Sequence, residues 1–168
     1  MNRRAGLQAA GVFLAFATFL IAGCASLTGD KAGLASEMQW SGRLSIKVFG
    51  AAAQAFAADF DLSGNPQAGS LVLYSPLGTT AAQMRWTPDG ASLISAGETR
   101  HFATLNALVL QATGTELPVQ ALFDWLQGRP TNVPGWTADL SALQQGRLQA
   151  TRIAEGPARA ELRIVLQP

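Results

Sequence analysis

Along residues 42–49 (GRLSIKVF) apolar and polar side chains alternate, with Leu44, Ile46 and Val48 on one face and Arg43, Ser45 and Lys47 on the other. A period of two is what a pleated strand with one buried face requires. Residues 55–62 (AFAADFDL) repeat the pattern, setting Phe56, Ala58, Phe60 and Leu62 against Asp59 and Asp61. Ser63-Gly64-Asn65-Pro66 is turn chemistry, and residues 69–74 (GSLVLY) form a third strand. Residues 82–87 make a fourth, which Pro88-Asp89-Gly90 turns into a fifth at 91–95, with a short sixth at 98–102. Strands joined in succession by tight turns predict an antiparallel meander.

The period then changes. Leu105, Leu108, Val109 and Ala112 stand at the i, i+3, i+4, i+7 spacing of a helix face, with Thr104 placed as N-cap and Gly114 as the residue that ends it. Pro118 starts a second helix over 118–127 that turns Val119, Leu122, Phe123 and Leu126 inward, and Gly128 and Pro130 stop it. Residues 136–140, 146–153 and 160–166 return to strand-like alternation, the last with Leu162, Ile164 and Leu166 on one side. The fold class is therefore mainly β (α+β). A meander of about nine strands curls partly or fully to hide its edges, and the two helices are placed to plug one mouth. A curled sheet of this size either fills itself with side chains or encloses a ligand.

The start of the chain has another purpose. Arg3 and Arg4 precede an apolar run over 9–22, shorter than the ~20 residues of a membrane span. Ile21-Ala22-Gly23-Cys24 resembles the bacterial lipobox. That resemblance implies a signal peptide over 1–23, cleavage after Gly23 and a diacylglycerol on the thiol of Cys24, followed by acylation of the new amino terminus. A lone cysteine is more often simply buried, but the position and context of Cys24 favour modification. Each buried methylene contributes about 0.8 kcal/mol, so two or more acyl chains hold a protein on a membrane. Ala25, rather than Asp, follows the cysteine; by analogy with enterobacterial sorting this implies the outer membrane. Residues 24–38 read as a lipidated, flexible tether and 39–168 as the folded domain.

Composition narrows the chemistry. An apolar fraction of 48% excludes a disordered chain. Beyond residue 23 there are ten basic and eleven acidic residues and no basic block, so no nucleic-acid partner is expected. One cysteine excludes a disulfide scaffold, and His101, the one histidine, excludes a multi-histidine metal site. There is no Gly-x-Ser-x-Gly elbow and no phosphate-binding glycine loop. Asp59 and Asp61 fall on the polar side of an amphipathic strand and read as a solvated face; His101 reads as a surface residue. No enzyme, cofactor or metal is expected.

Between two strands stands Tyr74-Ser75-Pro76-Leu77-Gly78-Thr79-Thr80. Pro76 fixes the backbone, restricts Ser75, and Gly78 permits a positive φ. The single large apolar side chain, Leu77, either folds back as a hairpin plug or projects, and a projecting leucine on a stiff loop is a means of touching lipid tails.

These segments in order resemble the LolB family of outer-membrane lipoproteins. The resemblance is carried by Trp40 with Gly42-Arg43-Leu44-Ser45-Ile46, by Ser75-Pro76-Leu77-Gly78, and by Leu117-Pro118-Val119 with Leu122, Trp125-Leu126, Gly128 and Pro130. It ends with Gly135-Trp136, Asp139-Leu140 and Gly146-Arg147-Leu148 with Ala150 and Arg152. The chain departs from the family where Phe60-Asp61-Leu62 replaces an aromatic pair, and it lacks a terminal Trp. The resemblance implies an incomplete antiparallel β-barrel with an α-helical lid and an apolar cavity. It implies a monomeric, lipid-anchored receptor on the periplasmic face of the outer membrane. That receptor takes acylated lipoprotein cargo from the carrier LolA and inserts it into outer-membrane lipid, with Leu77 entering the membrane. The cavity is then expected among Leu44, Ile46, Val48, Phe56, Phe60, Leu62, Leu71, Leu73, Met84 and Trp86, and the lid among Leu105, Leu108, Val109, Leu122, Phe123 and Leu126. The same residues would serve equally as an ordinary packed core. The alternatives are a structural or assembly lipoprotein with a filled barrel, or a lipid-modifying enzyme that works through His101.

Overall fold

The computed structural model describes residues 38–50, 53–153 and 159–168. The expected signal peptide, Cys24 and the tether as far as residue 37 lie outside the described residues. The meander is present as β1 (Met38–Val48), β2 (Gln54–Gly64), β3 (Gly69–Tyr74), β4 (Thr80–Thr87), β5 (Gly90–Ser95) and β6 (Glu98–Phe102). Helices α1 (Leu105–Thr113) and α2 (Val119–Leu126) follow, then β7 (Trp136–Asp139), a 3-10 turn (Leu143–Gln145), β8 (Arg147–Arg152) and β9 (Ala160–Leu166).

All nine strands join one antiparallel sheet in the order β6-β5-β4-β3-β2-β1-β9-β8-β7. The last strand returns to the first, Leu44 opposite Ile164 and Ile46 opposite Leu162. Strands β6 and β7 stay at the two edges and do not pair with each other, so the sheet is an incomplete barrel.

β1 begins four residues before the alternation predicts. Gly42 looks like a strand boundary in the sequence, yet it sits inside the ladder at φ +154°, paired with Phe60 and with Leu166. A Cβ there would lie 2.0 Å from the carbonyl oxygen of Val165, so only glycine lets β9 close on β1 at that level. The extension carries Trp40, which meets Phe123 of α2 edge-on with ring centroids 5.6 Å apart. Trp86 approaches the same ring at 6.3 Å. Edge-to-face contacts add to the burial of these large side chains.

Helix α1 follows its sequence signals. The Thr104 side chain accepts a hydrogen bond from the Ala107 N–H at 3.1 Å, and left-handed Gly114 donates to the Leu110 carbonyl. Helix α2 turns its predicted face inward and buries a second stripe beside it. It buries Ala121, Phe123, Trp125 and Leu126, while Val119 and Leu122 are only half-buried. A helix pressed from two sides buries two stripes. Phe123 meets Trp40 and Trp86, and Trp125 meets Trp136 of β7 at 6.5 Å while its indole N–H donates to the Thr131 carbonyl at 2.9 Å.

Candidate functional site

The concave face of the sheet is not filled. A cavity of about 430 Å³ lies between it and the two helices, within the range of about 300–1,000 Å³ that small-molecule sites occupy. Of the ten residues expected at a cavity, nine form its wall. Leu44 and Ile46 come from β1, Phe56, Phe60 and Leu62 from β2, Leu71 and Leu73 from β3, and Met84 and Trp86 from β4. Val48 does not join them. It is buried one inward position further along β1, opposite Gln54, whose amide reaches across that level to α1.

The helical side of the wall holds Leu105, Val109, Leu122 and Phe123 of the expected lid set. Leu108 and Leu126 are buried elsewhere in the core. At 3.6 residues per turn, Leu105, Val109 and Ala112 point along one narrow arc and Leu108 at its margin, so Leu108 packs into the core beside the wall. Sequence reading misses Leu93 of β5, Leu117, and Leu162 and Ile164 of β9. The alternation of β9 marks the correct face, but only its pairing with β1 carries that face to the cavity. Arg100 is also missed, although Phe102, inward on the same strand, lies two residues away.

The mouth lies where wall residues are exposed. Gln54 and Phe56 at the start of β2, Ala81 at the start of β4, Arg100 on β6 and Ala112 in the last turn of α1 are exposed, and Phe56 keeps 46% of its surface in solvent. Antiparallel pairing gathers Gln54, Phe56 and Ala81 at one end of the sheet, and the Gln54 side chain meets the last turn of α1 there, while Arg100 lies two residues in from the β5–β6 turn, on the open edge. The connections β1–β2, β3–β4 and β5–β6 lie at this end, closed by the pairs Val48–Gln54, Tyr74–Thr80 and Ser95–Glu98.

The β3–β4 connection carries Leu77, which is 90% exposed and so does not fold back into the hairpin. The Ser75 N–H donates to the Thr79 carbonyl at 2.8 Å, and the Gly78 N–H donates to the Ser75 carbonyl at 2.9 Å. The hydroxyls of Ser75 and Thr79 are 2.8 Å apart, and the Leu77 N–H lies 3.3 Å from the Ser75 hydroxyl. Gly78 has φ +77°, and a Cβ there would touch nothing within 4 Å; the requirement is conformational, not steric. At the foot of the loop the Tyr74 hydroxyl donates to Asp61 at 2.6 Å. That hydrogen bond, with the carboxylate's charge, raises the phenol's pKa. The turn is thus braced from below and presents one apolar side chain.

The remaining candidates are dispersed. Asp59 pairs with Arg43 across the ladder at 3.0 Å, and Asp61 is held by Tyr74, so the two carboxylates brace the outer face separately. His101 is exposed opposite Ser92, off the cavity wall. Among the described residues no three His, Cys, Asp or Glu side chains gather as metal ligands. After α2, Asp124 accepts from Arg129 and, at 2.7 Å, from the Thr131 hydroxyl; these bonds, Arg129 first, hold its pKa below the usual carboxylate range. Ser141 does the same for Asp139.

Comparison with known proteins adds a family. The family model described as outer membrane lipoprotein LolB matches residues 36–159. The chain is similar to proteins named outer-membrane lipoprotein LolB. It is 35% identical to that of Ralstonia nicotianae over 80% of this chain and 68% of that protein. It is 33% identical to that of Cupriavidus necator over 88% and 76%, and 35% identical to that of Bordetella petrii over 66% and 57%. The match thus spans little more than half the length of the Bordetella protein.

Proposed function

The chain belongs to the outer-membrane lipoprotein LolB family, and from that membership we propose that it receives acylated lipoproteins from a LolA-like periplasmic carrier and sets them into the outer membrane. Membership itself places the chain among the outer-membrane lipoproteins of the lipoprotein-localisation pathway. The handover, the use of the cavity and the residue roles are the proposal.

An acyl chain of sixteen carbons carries about 12 kcal/mol of transfer free energy at ~0.8 kcal/mol per methylene. Water between two membranes is closed to it unless a protein offers an apolar berth. The wall of leucines, Phe60, Met84 and Trp86 is that berth. It must hold the chain more tightly than the carrier does and less tightly than a bilayer, so that cargo moves by affinity alone. Cys24, once lipidated, keeps the receptor at its membrane, and Leu77 enters the lipid.

One observation carries the reading: the exposed wall residues Gln54, Phe56 and Ala81 and the Leu77 loop lie at the same end of the sheet. A tail leaving the mouth beside an inserted leucine meets lipid before it meets bulk water. A filled structural barrel would have no use for the 430 Å³ left open under the helices. The test is to mix this protein with a LolA-like carrier loaded with an acylated lipoprotein and to separate the two. Cargo moves to this protein if the reading is right. If it stays on the carrier under conditions where an unloaded second carrier competes for it, the reading is wrong.

A further inference from the structure

Among the described residues the cavity wall contains one charged side chain, Arg100, and it stands exposed at the open edge of the sheet. It sits on edge strand β6 directly opposite Leu93, a buried wall residue, so pairing aims it at the concave face. Among the described residues its guanidinium joins none of the ion pairs, which involve Arg43, Arg129, Arg159 and Arg163. Glu98 shares that face of the strand, two residues away, and is not in pairing distance. Three polar side chains join it on the wall: Gln54, Ser95 and Thr113. The rest of the wall is aliphatic and aromatic.

An apolar well with hydrogen-bond donors on its exposed rim fits an amphiphile, not a bare hydrocarbon. Arg100 lays its methylenes along the apolar wall and keeps its head at the water's edge. There the guanidinium offers several N–H donors in a planar fork and accepts nothing. An acyl chain bound tail-first would bring its own head, an ester or amide carbonyl, to that level. We propose that Arg100 is a specificity-determining residue that hydrogen-bonds the carbonyl oxygen at the head of the bound acyl chain, selecting acylated molecules and setting how deep the chain sits. The proposal rests on the reading of the cavity as an acyl-chain site.

An inward-pointing charge on an edge strand also discourages edge-to-edge pairing. That role acts on association between chains and is indifferent to the ligand's head group. The two are separated by a ratio of affinities. The full chain and its Arg100→Met variant are titrated with the neutral probe N-phenyl-1-naphthylamine, which is then displaced by dodecane, methyl dodecanoate or dodecanoate. For Arg100→Met, dodecane and probe affinities are expected unchanged, and methyl dodecanoate is expected to weaken by about five- to tenfold. Arg100→Lys should recover part of that loss. Equal behaviour of the ester and the alkane would overturn the proposal. Loss confined to dodecanoate would also overturn it, because Arg100 would then be reading an anionic head group and not a neutral carbonyl. Failure of the unaltered protein to bind the probe or any of the three ligands would remove the cavity reading itself, and this inference with it.

Discussion

The side-chain amide of Gln54 donates to the carbonyl oxygen of Thr113 at 2.8 Å, joining the first residue of β2 to the last residue of α1 across the mouth of the cavity. The contact is close on both sides, since a Cβ on Gly114 would lie 2.1 Å from the Gln54 amide nitrogen. An exposed hydrogen bond of this kind contributes about 1 kcal/mol. It is strong enough to bias the lid end and weak enough to open without unfolding the sheet. Gln54→Ala is therefore expected to change global stability by about 1 kcal/mol or less and to speed both uptake and release of a fluorescent acyl probe in stopped flow. Unchanged rates would show that the tail enters by another route.

A hollow interior and a filled one respond oppositely to added volume. Ala82 is half-buried on the cavity wall, paired with Leu73 and Ser95. In a packed core, enlarging such a residue costs about 1–3 kcal/mol. Here Ala82→Phe is expected to leave the free energy of unfolding in urea within about 0.5 kcal/mol of the unaltered protein while weakening acyl-probe binding several-fold. Equilibrium unfolding and probe titration on the same sample check both halves.

Phe123 is the keystone of the helix–sheet contact, 1% exposed and touching Trp40 and Trp86. Phe123→Ala should cost about 3–5 kcal/mol. Phe123→Leu, which keeps most of the volume, should cost less than half as much. Chemical denaturation measures both.

Asp124 sets a pH dependence. Its hydrogen bonds to Arg129 and Thr131 hold its pKa in the folded protein below the ordinary 3.8. A depressed carboxyl pKa stabilises the fold above the unfolded value, and the gain disappears as pH falls through the folded one. Asp124→Asn should thus be less stable than the unaltered protein at pH 7, and the difference should shrink steadily below about pH 4. Melting curves at neutral and acid pH test this; a gap that stays constant with pH would mean that the charge of Asp124 is not what holds the loop.

Much of the scaffold was legible because alternation and turn chemistry are local. The strands over 69–74, 98–102 and 160–166 and the caps of α1 stand where the residues place them. What escaped was set by distant partners. The ladder runs through Gly42 because β9, more than a hundred residues away, closes on it. Trp125 turns inward because β7 supplies Trp136. Nine of the ten expected wall residues do face the cavity, yet the pattern that puts them inward is the same for a solid core. Emptiness depends on how far the helices stand off the sheet, and no periodicity records that distance. Val48, Leu108 and Leu126 carry the inward signal and still lie off the wall.

The proposal that a hollow receptor releases its guest into lipid beside a projecting leucine is tested most directly by single-turnover transfer of an acylated lipoprotein into liposomes, comparing the unaltered protein with Leu77→Glu. Leu77 makes almost no contact with the fold, so the variant should fold and accept cargo from the carrier normally. Burying a leucine side chain in an apolar medium is worth about 1.5–3 kcal/mol, a factor of about ten to a hundred, and delivery to the liposomes should fall by that order. Delivery at the rate of the unaltered protein would contradict the account.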